Sequence, residues 1–318
     1  MTPVLAVVML ALALPWAAAP AARRLAALLP PREACLVLTG AAALPAGGTL
    51  AALIGLFHVP FLASLEQVPL SRTVAEWPAA VPVSAAAGAV LVFQAVLVGR
   101  RWYERRSLLA RAWSATGDAV RDGDLLLVTD PDPQAFALPG RRGCGGRIVV
   151  TTGMLRTLGP AEREVLFGHE RAHLADRHHL LSATAHLAAA VHPALRSLRP
   201  ALDFHLERWA DEEAASAVGD RRLAATAIAR AALAAASSAS SSPAGRGRGP
   251  LLSVGSGPVP RRVEALLRPA PVRPRARRTR AAAVGLLSTV AVSALLSVAL
   301  AYGLHEYVEL AAEGVGGR

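Results

Sequence analysis

The chain has 318 residues, 53% of them hydrophobic and only 4% aromatic, with a formal net charge of +11. That length is too great for one small domain and short for three, and apolar mass built from Ala, Leu and Val without aromatics points to membrane helices more than to a dense soluble core. Two isolated cysteines, Cys35 in an apolar stretch and Cys144 in a glycine-rich loop, exclude a disulfide framework or a Cys-x-x-Cys metal knuckle and read as unpaired thiols in a reducing compartment.

Four stretches are long and apolar enough to cross a bilayer: about 3–22, 34–57, 81–98 and 281–302. None carries a charged residue. The first could be a signal peptide, but arginines follow it instead of preceding it, so it reads as an uncleaved span. Trp77, Trp102 and Tyr103 flank the third, where an interfacial aromatic belt would lie. Every basic residue is arginine, and the arginines gather beside the spans. Arg23, Arg24 and Arg32 separate spans one and two, Arg72 alone lies between two and three, Arg100, Arg101, Arg105 and Arg106 follow three, and a run ending at Arg280 precedes four. The positive-inside rule then puts the segment 99–280 in the cytoplasm and both termini outside, with an extracytoplasmic tail at 303–318. This placement accounts for most of the net charge and leaves no case for a nucleic-acid surface.

The segment 99–280, about 180 residues, is long enough for its own core. A helix is expected at 107–119. "DLLLVTD" (124–130), "QAFALPG" (134–140) and "GRIVVTTG" (146–153) read as strands bounded by turn residues. The "GRRGCGG" between the last two is a turn; it matches no phosphate-binding pattern. A helix begins at Pro160, which suits a first helical position, and is expected to continue to about residue 185. Further helices are expected at 202–218 and 260–269, with a low-complexity mobile loop at 234–249. The fold class is thus α+β, mostly helical, with four transmembrane helices and a small sheet.

"HERAH" (169–173) places His169 and His173 four apart on one helix face, with Glu170 between them. This is HExxH, in which two imidazoles take Zn²⁺ and the Glu activates water; a solvated helix face is the plain alternative. A catalytic zinc needs a third protein ligand and an open position. "LERWAD" (206–211) offers Glu207, with Asp211 one turn on to orient a ligating histidine; the alternative for Glu207 is an exposed helix acid, and Glu212 and Glu213 compete without a matching partner. His178 and His179 could line a cleft mouth or serve as helix-end cations. Asp176 could bond near the metal or pair with His173 or an arginine. His186, His192 and His205 read as structural or exposed, and Phe204 and Trp209 as core.

"HERAH" followed after about 33 residues by "ERWAD" resembles the gluzincin arrangement of HtpX-type membrane peptidases, HExxH followed by ExxxD, and "AFALPG…GRIVVTTGML" resembles the strand pair before their metal helix. Four spans with the zinc domain between the third and fourth resemble the BlaR/MecR antibiotic-sensor peptidases. The resemblance is strongest over 134–213. It implies one Zn²⁺ on His169, His173 and Glu207, Glu170 as general base and then proton donor, Asp211 holding His169, and the strand 134–138 as an edge for an extended substrate. It implies a membrane zinc metalloendopeptidase that cleaves a cytosolic repressor of the BlaI/MecI type, or else one serving HtpX-like quality control. A non-catalytic zinc-binding scaffold is the rival, and intact Glu170 argues against it. Two departures stand out. About 16 residues follow the last span, so a β-lactam sensor in the same chain is not expected. The histidine that HtpX-type relatives place before the last helix is missing, and Arg262 is the nearest substitute as oxyanion stabiliser; the alternative is a surface or headgroup arginine.

Overall fold

The computed structural model describes residues 2–65, 78–241 and 258–269, with isolated helical positions between 281 and 295. The fourth span is therefore described only in part, and residues 242–249 of the expected loop and the tail 303–318 lie outside the described residues.

The first three apolar stretches form α1 (Thr2–Ala26), α2 (Pro31–Leu65) and α3 (Ala80–Ala115). Two helices among the described residues are long and apolar enough to cross a membrane, Pro31–His58 within α2 and the whole of α3. They differ in surroundings. α2 is largely packed inside the protein, whereas α3 exposes Val90, Val92, Phe93 and Val96. α3 does not stop at its arginines. The helix expected separately at 107–119 is, up to Ala115, its last quarter, because nothing between Gly99 and Ala115 breaks the helix and Arg101 pairs with Glu104 one turn on (3.2 Å). Residues 120–122, beyond it, form β1.

The sheet is mixed, in the order β1 (Val120–Asp122), β2 (Leu125–Val128), β4 (Arg147–Thr151), β3 (Ala135–Leu138). β2 and β4 are parallel and the other pairs antiparallel. Alternation along the strands gives the sheet two buried faces. Leu126, Leu138 and Val149 pack on Leu109, Ala112 and Trp113 of α3, and the Trp113 indole donates to Pro139 O (3.2 Å). Ala135 and Val150 pack instead on Met154, Leu166 and Phe167. α3 thus carries the sheet directly on its end.

After α4 (Thr152–Thr157), α5 (Pro160–Ala175) starts with Pro160 in its first turn and the Glu162 carboxylate accepting from the Gly159 amide (2.9 Å). The single helix expected to residue 185 is two. Arg177 adopts φ 52°, a left-handed conformation that stops α5, and the chain restarts as α6 (His178–Val191). A 3₁₀ turn (Pro193–Leu198) leads into α7 (Arg199–Val218), which ends on left-handed Gly219. α8 (Arg221–Ser241) overruns the first part of the expected loop, since 234–241 is alanine-rich enough to stay helical and Ser237 bonds back to Leu233 O (2.9 Å). α9 (Val259–Leu267) matches the short helix expected there. One continuous apolar cluster joins Ala22, Cys35 and Leu38 of the first two helices to Leu195, Leu202 and Leu206. Both cysteines are unpaired, Cys35 buried and Cys144 exposed.

The loop before α4 is packed tightly enough to test. A Cβ at Gly153 would stand 2.0 Å from the Pro131 carbonyl oxygen. Gly153→Ala should destabilise the fold by about 1–3 kcal/mol or more, as overpacking against immobile backbone does, and lower the thermal midpoint.

Candidate metal centre

α5 presents His169 and His173 on its inner face, and α7 brings Glu207 up against them. All three are buried, and their ligand atoms lie within 4.8 Å of one another. His169 Nε2 faces His173 Nε2 at 3.1 Å, and the Glu207 oxygens lie 3.6 Å from His169 Nε2 and 3.5 Å from His173 Nε2. A regular tetrahedron around Zn²⁺ with ligands at about 2.0–2.1 Å has edges of about 3.3 Å. The two imidazole nitrogens, 3.1 Å apart, come close to that figure, and each faces a different Glu207 oxygen, Oε2 for His169 and Oε1 for His173. The donor set therefore fits a zinc ion with one coordination position left over.

Glu170, the next residue after His169, is completely buried, and its oxygens meet no donor at good hydrogen-bond geometry beyond a loose approach to the Ala137 backbone. Burial, reinforced by the Glu207 charge, pushes its carboxyl up to about 7. A carboxyl buried with so little hydrogen bonding is costly.

The second layer of the site is ionic. Asp211 Oδ1 stands 3.0 Å from His169 Nδ1. The Arg262 guanidinium, brought by α9 and fully buried, grips both Asp211 oxygens (Nε–Oδ2 2.8 Å, Nη2–Oδ1 2.6 Å) and reaches Glu207 Oε2 through Nη1 (2.7 Å). Burial opposes ionisation of Asp211, but the Arg262 and His169 partners outweigh it and hold the carboxyl down at about 2. Arg262 and the histidines likewise hold Glu207 below its ordinary value against burial. Burial also works against a charged His169, yet Asp211 and Glu207 raise it to about 10 in the metal-free site. This corrects the expectation for Arg262. It is neither a surface arginine nor free to face an oxyanion: its fork is committed to the two carboxylates behind the ligand positions.

The turn at Arg177 produces a contact that the sequence did not suggest. On one continuous helix His178, five residues past His173, would point about 140° away. The left-handed turn instead swings it back, so that His178 Nδ1 meets His173 Nδ1 at 2.8 Å with the Trp209 ring packed against it (4.6 Å). His178 is buried at the start of α6, neither at a cleft mouth nor at a helix C-terminus. Burial pulls its imidazole down to about 3, so it stays neutral. A neutral His173 that keeps its Nε2 lone pair for a metal carries its proton on Nδ1, and His178 Nδ1 is then the acceptor that fixes that tautomer. No periodicity rule flags this residue; only the turn does.

The remaining residues fall elsewhere. Asp176 caps the end of α5. His179 gives its carbonyl to Arg105, His186 meets Arg199 (2.6 Å), and His192 caps the 3₁₀ turn by accepting from the Ala194 amide (3.2 Å). His205 is buried, Trp209 belongs to the core, and Phe204 lies under Arg261 (4.8 Å). β3 is the sheet edge and packs against α5, as a substrate-binding edge would require.

With this geometry in hand, comparison with known proteins is informative. The model of peptidase family M48 matches residues 118–198, from the first strand to the 3₁₀ turn, and so includes His169, Glu170, His173 and His178. It stops short of Glu207, Asp211 and Arg262. The match supports a metallopeptidase of that family. No curated protein and no solved structure matches the chain.

Two substitutions probe the second layer. Arg262→Ala should cost about 3–5 kcal/mol by stranding two buried carboxylates, read as a fall in the thermal midpoint of the metal-free protein, and Arg262→Lys should recover only part because it cannot fork. His178→Ala should weaken zinc affinity by about 10–100-fold in a chelator competition, the usual effect of losing a partner that orients a ligand.

Proposed function

We propose that the protein is a membrane-bound zinc metalloendopeptidase. The observation that carries this reading is the combination of three buried side chains, His169, His173 and Glu207, whose ligand atoms lie within 4.8 Å of one another, with a buried carboxyl, Glu170, beside them. A zinc ion held by His169, His173 and Glu207 would supply Lewis acidity to water and to the scissile carbonyl. Glu170 takes the proton from the attacking water and delivers it to the departing amine, a task suited to a carboxyl raised to about 7. Asp211 keeps His169 oriented through Nδ1, His178 does the same for His173, and Arg262 keeps both carboxylates ionised. β3, at the sheet edge, is available to add an extended substrate strand.

A non-catalytic zinc scaffold has no use for Glu170, because a purely structural site gains nothing from a buried carboxyl with so little hydrogen bonding. In regulatory proteolysis the substrate would be a cytosolic repressor of the BlaI/MecI type, with the peptidase segment cytoplasmic and both termini outside. The second reading, HtpX-like quality control of membrane proteins, is favoured by the apolar cluster that α1 and α2 share with α7.

Glu170→Gln should retain stoichiometric zinc and lose cleavage by several orders of magnitude. Protein N-termini compared between the wild-type host and this mutant would read the substrate: new termini in one soluble regulator support signalling, and new termini across membrane proteins support quality control. Retained cleavage in the mutant would remove Glu170 from the mechanism.

A further inference from the structure

α6 and the 3₁₀ turn after it have no part in the chemistry beyond His178, yet three membrane-associated helices hold them. α3 grips α6 at both ends. The Arg105 guanidinium donates to His179 O at the start of α6, and the buried Gln94 side chain donates to Val191 O at its end (2.9 Å). The two helices run antiparallel. Twelve residues of α6 between these bonds rise about 18 Å, and eleven residues of α3 rise about 16 Å, so the helices lie side by side along that whole length.

The arginines of α1 and α3 serve as depth markers. Gln94 lies six residues, about 9 Å, on the apolar side of Arg100 in α3. Independently, Trp16 of α1 packs edge-on against His192 just past the end of α6 (5.7 Å). Trp16 lies seven residues, about 10 Å, on the apolar side of Arg23. Two helices thus place the end of α6 about 10 Å below the arginine level, beside the exposed Val90, Phe93 and Val96 of α3. The chain climbs back past the exposed Arg196 of the 3₁₀ turn to Arg199, which meets His186. A third marker fixes the other end. Arg32, in the first turn of α2, sits over the Trp209 ring (5.6 Å), and Trp209 packs on His178. Gln94 also satisfies one of the carbonyls that a helix end leaves open, which a helix ending inside an apolar layer requires.

We propose that α6 and the 3₁₀ turn form a re-entrant hairpin that dips into the bilayer and hangs the metal centre at headgroup height. Its consequence, which rests on the peptidase reading above, is a positional rule for substrates. The centre lies about 7–8 Å above the arginine level, the height of Arg105 over Arg100. An extended chain covers that distance in about three residues at 3.3 Å each. The scissile bond therefore lies within about six residues of the point where a substrate enters the apolar layer, through a membrane helix or a lipid anchor.

The test uses the full chain in vesicles of phosphatidylethanolamine and phosphatidylglycerol, with Cys144→Ser to remove the exposed thiol. Nitroxide labels go on Pro193→Cys in the hairpin and on Ala175→Cys at the end of α5, both exposed positions. The label at 193 should collide more with oxygen than with a water-soluble nickel chelate, and the label at 175 should do the reverse. Equal chelate access at both positions overturns the hairpin. The substrate rule is read with casein, free or fused behind a transmembrane helix in the same vesicles. Fused casein should be cut about tenfold faster or more, mainly within the first six residues. Equal rates, or cuts scattered along the fused chain, overturn the positional rule even if the hairpin stands. A buried label at 193 with no cleavage of either casein, zinc being bound, supports the hairpin and overturns the peptidase reading instead.

Discussion

Two carboxylates, Glu207 and Asp211, are buried one helical turn apart at the centre of this fold, and one buried guanidinium pairs with both. Either acid alone would be too costly to bury ionised. Held by Arg262, both stay charged, and that fixes the rest of the site. Asp211 can then orient His169, and Glu207 can face the gap between the two imidazoles. Because the acids come from α7 and the guanidinium from α9, the site closes only when the last described helix docks. α5 by itself supplies two histidines and a carboxyl but no means of holding Glu207 beside them.

The histidine pair adds a second constraint of a different kind. His169 is oriented by a carboxylate and His173 by a neutral imidazole. A charged partner raises the basicity of its histidine, while a neutral one fixes tautomer and angle without adding charge. The cluster already holds Glu207, Asp211 and Arg262, and a further buried ion beside His173 would need its own counter-charge.

The long apolar helices α2 and α3 pack directly on the elements that build the site. α3 carries the sheet on its far end and clamps α6 along its length; α2 lends Arg32 to the ring that backs His178. A displacement of α3 would be felt at β3 and behind His173 together, because rigid packed elements transmit shifts instead of absorbing them.

What the sequence by itself determined was whatever local periodicity encodes. The apolar runs, the three longer strands, the start of the metal helix at Pro160, and the pairs at spacing four, His169 with His173 and Glu207 with Asp211, follow from side-chain direction on a single element. The tertiary structure decided what depends on where the chain turns and what then meets. A left-handed arginine, which no composition rule anticipates, ended α5 early and brought His178 behind His173. Docking of α9 turned Arg262 from a candidate at the substrate into the counter-ion of two acids 51 and 55 residues away in sequence. Periodicity reports which face a residue occupies, but the identity of its partner is set by packing between elements, and no single element carries that information.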